Sequence, residues 1–355
     1  MVLDILSRPL KSCFGDGNRG DELSWHIDLK PHASGDYSIA VVQANSLLED
    51  QGQVFTSSSA TYVGVYDGHG GPEASRFIAD NLFPSLHKFA TEQGGLSVDV
   101  IRKAFDATEE EFLDLVKRTW MSQPQIISVG SCCLVGIISN GVLYVANLGD
   151  SRAVLGRRVS ASKTTSAVVA ERLSTDHNVG VEEVRKEVAA LHPDDSHIVV
   201  YTQGVWRIKG IIQHFGFPIP LKRPVMTAEP SILVRQLTPQ DLFLIFASDG
   251  LWEQLSDETV VDIVSKSPRA GIARRLVRAA LREAARKREM SYEEIKSIEK
   301  GVRRHYHDDI TVIVMYLDHP LSSSSSTGRF SDHTVVDCTS TPADIFSSDV
   351  NEGQC

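Results

Sequence analysis

Cysteine is scarce and unpaired in this sequence. The 355 residues include five, Cys13, Cys132, Cys133, Cys338 and Cys355, and no two of them stand as CxxC. An odd count without that spacing argues against a disulfide framework and against a zinc site, and it fits a reducing compartment. Long apolar runs are missing too. No stretch reaches about 18 apolar residues, so no transmembrane helix is expected. Residues 1–15 lack the apolar run of a secretory signal, and Val2 in place of Gly excludes N-myristoylation. A positive excess is also missing: 36 Lys and Arg stand against 46 Asp and Glu, for a net charge of -10. That balance argues against nucleic acid as a partner. It still permits a local anion site, because a bound divalent cation reverses the sign where it sits.

What is present is a layered pattern. Tyr37 to Gln43 reads as a strand, and Thr61 to Tyr66 as a second. Helical spacing follows over Glu73 to Phe89 and again over Val98 to Val116. Two apolar runs between Val129 and Leu155 flank Asn140-Gly141, the preferred two-residue hairpin turn, and predict an antiparallel meander. Leu242 to Ala247 and Ile310 to Tyr316 are strands of buried type, with helices at Thr259–Val264 and Ile272–Ala285 between them. Antiparallel strands followed by helices point to an α+β layered fold. Residues 1–35 and the Gly/Ser-rich stretch 50–60 read as irregular. After Asp318 the composition turns to Ser, Thr and Asp, and 319–355 reads as a disordered tail.

The chemistry lies where carboxylates meet strand ends. Asp67 ends one apolar strand and Asp249 another. Asp308 and Asp309 precede a third, Asp150 sits in the turn of the meander, and Glu49-Asp50 follow a fourth β-like stretch. Strand ends that converge would gather these groups into one cleft. Close carboxylates cannot all stay ionised unless a cation compensates them. Hard oxygen donors select Mg²⁺ or Mn²⁺. Two such ions about 4 Å apart can activate a bridging water and clamp a phosphoryl group. One Asp-Gly alone would be an ordinary turn. DGHGG, GDSR, SDGLW and HDDIT, in this order, carry more weight.

Those segments, Asp67 to Gly71, Gly149 to Arg152, Ser248 to Trp252 and His307 to Thr311, resemble the signature motifs of the type 2C (PPM) metal-dependent protein phosphatases. Glu49-Asp50 resembles the family's early acidic pair, and the likeness covers about residues 37–318. Val129 to Cys133 and Gly271 to Thr311 are most similar to a plant subfamily, clade D. The resemblance implies a four-layer α/β/β/α sandwich of two antiparallel sheets flanked by helices. It implies two Mg²⁺ or Mn²⁺ ions in a cleft at one end. Asp67 would bridge them, the Gly68 carbonyl would bind one, and Asp249 and Asp308 the other. Glu49 and Asp50 would hold metal-bound waters, and Asp150, with Glu253, would serve a weaker third ion. A metal-bound hydroxide would attack phosphoserine or phosphothreonine in a protein substrate. His69 resembles the general acid that protonates the leaving oxygen, a step that contributes about 10²- to 10⁴-fold. Family likeness further implies a monomer in plant signalling, in the cytosol or nucleus or peripheral at the plasma membrane.

Two departures stand out. Many family members place an Arg four residues before the acidic pair, where it binds the substrate phosphate; Asn45 stands there here, without charge or bidentate fork. Then Val205 to Gly210 resembles the lead-in to a family segment that does not follow, and the likeness resumes only at Lys222-Arg223-Pro224. This reads as an internal deletion near 210–224, expected to lower stability. It leaves open a second reading, a catalytically impaired phosphatase-like binding module.

Overall fold

The strand Ile310–Tyr316 shows how the layers arise. Its residues alternate, so Val312, Val314 and Tyr316 enter one hydrophobic core while Ile313 and Met315 enter another. A strand apolar on both faces must be covered on both sides. The protein, described here from a computed structural model, repeats this solution throughout. The described residues are 24–57, 60–160, 166–193, 195, 197–202, 205–208, 228–318 and 334–337.

In chain order the strands are β1 (Ser24–His32), β2 (Gly35–Val42), β3 (Gln51–Thr56), β4 (Ala60–Tyr66), β5 (Gly68–His69), β6 (Gly130–Ser131), β7 (Cys133–Ser139), β8 (Val142–Leu148), β9 (Arg152–Ser160), β10 (Ser166–Arg172), β11 (Val199–Thr202), β12 (Val205–Ile208), β13 (Ser231–Gln236), β14 (Asp241–Ala247), β15 (Ile310–Tyr316) and β16 (Thr334–Asp337). The helices are α1 (Glu73–Glu92), α2 (Val98–Thr119), α3 (Glu182–Leu191), α4 (Asp249–Trp252), α5 (Asp257–Lys266), α6 (Ile272–Lys287) and α7 (Tyr292–Ser297). One sheet has the order β1-β2-β15-β14-β9-β10 and the other β13-β8-β7-β4-β3-β16, six strands each among the described residues. Neighbouring strands pair antiparallel in both.

Three apolar layers hold the sandwich. The central one joins the facing sides of the sheets through Ile39, Val63, Leu134, Leu155, Phe246 and Ile313. A second packs α5 and α6 on the first sheet, and a third packs α1 and α2 on the other. The expected α/β/β/α order is present. The Asn140-Gly141 hairpin also forms as expected, with φ of 51° and 75° at the two turn residues. No described helix is long and apolar enough to cross a membrane.

Three sequence expectations need correction. Residues 24–32 are not irregular but form β1, whose Trp25 and Ile27 pack on the central core. Their alternation with His26 and Asp28 is a two-residue period. Gln51–Thr56 is no loop either. It forms β3, between β4 and β16, and Gln53 is buried with a partner: its Nε2 donates to the Ala79 carbonyl at 2.7 Å. Four residues of the segment read as a disordered tail, Thr334–Asp337, pair with β3 as an edge strand. The rest of that tail, residues 1–23 and the stretch 209–227 that contains the inferred deletion lie outside the described residues.

Candidate active site

Strand register brings the acidic residues to one end. Gln51 pairs with Tyr66, so Asp50 and Asp67 leave the sheet side by side. Cys133 pairs with Leu148, so Asp150 emerges at the same edge. In the facing sheet Ala247 pairs with Val312 and Arg152, and Ile310 pairs with Val42. Asp249, Asp308 and Asn45 therefore follow or precede strands at one end of that sheet. Contacts across the sandwich join the two ends: Ser248 Oγ donates to Asp50 Oδ2 at 2.8 Å, and the Glu49 N–H donates to Asp309 Oδ2 at 2.8 Å.

The electrostatics record how closely these groups lie. Burial pushes the Asp67 carboxyl well above its ordinary range, and the charges of Asp50, Asp249, Asp308 and Asp150 push it further. Asp50 rises for the same reason, by burial first and Asp309 second. Asp249 is pushed up to about 8 by burial, then by Asp150, Glu253 and Asp308, while a hydrogen bond with Asp67 works against the rise. Glu49, Glu253 and Asp308 are raised too, burial leading in each case. Such a set is unfavourable in water-poor surroundings without cations.

Among the described residues, no three His, Cys, Asp or Glu side chains are drawn together closely enough to enclose an ion by themselves. The donors nonetheless suit a hard divalent cation. They are oxygens, and two of them, Asp50 Oδ1 and Asp249 Oδ1, are buried without a hydrogen-bond partner. Gly68 sits where a side chain has no room. A Cβ there would lie 2.6 Å from the Glu49 carbonyl oxygen and 2.8 Å from Ser75 Oγ. Gly68→Ala is therefore expected to force the Glu49–Asp50 segment away from α1. We expect about 1–3 kcal/mol of destabilisation, read by urea unfolding.

His69 is exposed and belongs to the two-residue ladder β5–β6, opposite Gly130. A Cβ on Gly130 would touch the imidazole at 2.5 Å, so this glycine leaves the ring its place. Partial burial holds the ring below its ordinary pKa, and Asp150 pulls it upward.

A profile of the family "Protein phosphatase 2C" matches residues 37–289. The chain belongs to that family. A relative from Arabidopsis thaliana, "Probable protein phosphatase 2C 63", is 64% identical over 99% of this chain and 98% of its own length. A rice relative, "Probable protein phosphatase 2C 78", is 61% identical over 99% of this chain and 96% of its own. Among solved structures, the serine-threonine phosphatase 2C of Toxoplasma gondii superposes with a TM-score of 0.57 at 19% identity, covering 83% of this chain and all but 1% of that one, since 99% is covered. A C. elegans sex determining protein gives 0.56 at 17% identity over 80% of this chain and 65% of its own. At those identities the two structures speak for the fold alone.

In this acidic cleft the fold gives several residues contacts that the sequence did not show. Asp309 accepts from the Ala44, Asn45 and Glu49 N–H groups at 2.6, 3.0 and 2.8 Å and so shapes the loop that carries the early acidic pair. Asn178 Nδ2 donates to Asp150 Oδ2 at 2.5 Å. Cys132 precedes β7 and its thiol donates to Asp150 Oδ1 at 3.3 Å, whereas Cys133 joins the apolar layer. Burial and the adjacent acids push the Cys132 thiol well up, which leaves it inert as a nucleophile. Asn45, expected to meet substrate, directs its amide to Asp308 Oδ1 at 3.2 Å.

Proposed function

We propose that this chain hydrolyses phosphoserine and phosphothreonine in proteins, with two Mg²⁺ or Mn²⁺ ions held by the carboxylates of the cleft. One observation carries the reading: six acidic side chains on four segments of the chain gather at a single end of the sandwich, each with its pKa raised by burial and by a neighbouring carboxylate, and two have buried unpartnered oxygens. Asp67, Asp249, Asp308 and the Gly68 carbonyl would hold the ions, with Glu49 and Asp50 behind them and Asp150 and Glu253 beside a weaker third. Bound ions would supply positive charge for the phosphoryl oxygens and an activated water. The protein's own residues do the rest. Ser248 and Asp309 fix the Asp50 and Glu49 segments, and His69 stands at the rim to protonate the departing Ser or Thr oxygen.

The deciding experiment is phosphate release from a phosphothreonine peptide with Mn²⁺ and with EDTA. Turnover that EDTA abolishes supports the reading. A folded, monodisperse sample without turnover would favour the binding module instead. His69 has its own signature. His69→Ala is expected to lower kcat on the phosphothreonine peptide by about 10²-fold. On p-nitrophenyl phosphate, whose leaving group needs no proton, kcat should change by less than about threefold. Equal losses on both substrates would remove His69 from the proton-transfer role.

The inferred deletion belongs to this proposal. The alignment with the Arabidopsis relative spans 375 positions against a chain of 355 residues, so at least 20 of them have no counterpart here. We place the gap near 210–224, inside a domain running to residue 318. Among the described residues, the strands on either side are peripheral: β12 pairs with β11 alone, and β13 stands at the edge of its sheet. The central strands and the acidic end described above lie outside that stretch.

A further inference from the structure

A phosphate monoester brings two negative charges to a cleft lined with carboxylates. Besides any bound ions, a protein cation at the rim would favour its binding. Asn45 is uncharged, and its amide is engaged with Asp308 Oδ1 at 3.2 Å. Arg304 meets the same carboxylate from the other side, with Nη2 2.7 Å from Asp308 Oδ2 and a side chain 51% exposed.

The turn that carries Arg304 is firmly held. Its neighbour Arg303 is buried and donates to the Gln43 carbonyl at 2.9 Å and twice to the Ile298 carbonyl, at 3.1 and 2.8 Å. The Gly301 N–H donates to the Ala44 carbonyl at 2.7 Å. Residues 298–308 are thus stapled to the loop bearing Asn45 and Glu49, so Arg304 projects from a fixed base. Its charge opposes the upward shift not only of Asp308 but of Glu49 and Glu253, which come from other loops. Other cations nearby are committed elsewhere. Lys287 Nζ donates to the Glu253 carbonyl at 2.7 Å and to Gln254 Oε1 at 3.1 Å. Arg152 is locked between Asp176 and Asp257 at 2.6 Å each.

We propose that Arg304 is the substrate-phosphate recognition residue of the cleft, holding Asp308 with one edge of its guanidinium and offering the remaining N–H donors to the phosphate of a bound phosphoserine or phosphothreonine. This rests on the phosphatase reading above. A guanidinium has five N–H donors in a planar fork, enough for both tasks.

Arg304→Gln and Arg304→Lys test it, each in the full chain loaded with Mn²⁺. Arg304→Gln should raise KM for a phosphothreonine peptide about tenfold and leave kcat within about twofold. The dissociation constant of inorganic phosphate, measured by calorimetry on the Mn²⁺-loaded protein, should rise by about the same factor. Mn²⁺ affinity should not fall, because the variant removes a positive charge beside the carboxylates, and Arg304→Lys should recover part of the loss. Unchanged KM and phosphate affinity in Arg304→Gln would overturn the proposal. So would a fall in Mn²⁺ affinity large enough to account for the KM change, since Arg304 would then only position Asp308. If the natural chain shows no turnover, the phosphatase reading fails by itself, and phosphate calorimetry still decides on Arg304. No phosphate binding to the natural chain, or equal binding to both, overturns it.

Discussion

Asp67→Asn is expected to lower Mn²⁺-dependent turnover by about 10³-fold or more and to leave the protein folded. Asp67 stands at the centre of the acidic group: four other carboxylates, Asp50, Asp249, Asp308 and Asp150, each raise its pKa. Asp249 is raised by three carboxylates, and Glu49, Asp50 and Glu253 by two each. Its backbone is held independently of its charge, because the Asp67 carbonyl accepts from the Cys132 N–H at 2.8 Å and from Ser131 Oγ at 3.2 Å. Asparagine keeps the volume and the hydrogen-bonding reach but removes one negative charge. Without metal the variant should be as stable as the natural chain or more so, because a buried like-charge repulsion has gone. Turnover, Mn²⁺ affinity by calorimetry and urea unfolding separate the two effects. A folded Asp67→Asn protein with turnover within tenfold of the natural chain would contradict the role given to this residue.

The asymmetry between strong and weak sequence signals has a physical cause. Strands that are apolar on both faces announce themselves, and β4, β14 and β15 did so through Thr61–Tyr66, Leu242–Ala247 and Ile310–Tyr316. The acidic residues at their ends were legible because a carboxylate directly after such a run must leave the core. β3 was missed because its buried residues include the polar Gln51 and Gln53, and Gln53 finds its partner in α1. β1 was hidden by charged and polar residues alternating with Trp25 and Ile27. The supporting shell was illegible for a stricter reason. Asp309 and Asn45 are 264 residues apart, and Ser248 and Asp50 are 198 apart. No local pattern encodes such contacts; they follow from the register of the two sheets. Arg304 is a case of its own. In the sequence it is one Arg among several before HDDIT, and only the fold aims it at Asp308.

The metal-free protein should lose stability as pH rises, and Mn²⁺ should restore it. Asp249 has its pKa raised from 3.8 to about 8, so between those values the folded state holds a proton that the unfolded chain has released. Stability from this group is full below about pH 4 and falls as pH climbs toward 8. Asp50 and Asp67 are raised as well and act with the same sign. Three histidines, His32, His69 and His307, have depressed values and act in the opposite sense, but only below their unfolded value of 6.5. The clean window is therefore pH 6.5 to 8. At about 1.4 kcal/mol per pH unit per proton, Asp249 alone accounts for about 2 kcal/mol across it. Asp249→Asn should flatten that part of the slope in urea unfolding with EDTA present. Mn²⁺ at a thousandfold excess over its dissociation constant should add about 4 kcal/mol. Its apparent affinity should increase from pH 6.5 to 8, because ions compete with the protons these carboxyls hold. A metal-free protein that gains stability over this window would mean that the carboxylates are already ionised and paired, and the acidic end would then have no deficit for a cation to fill.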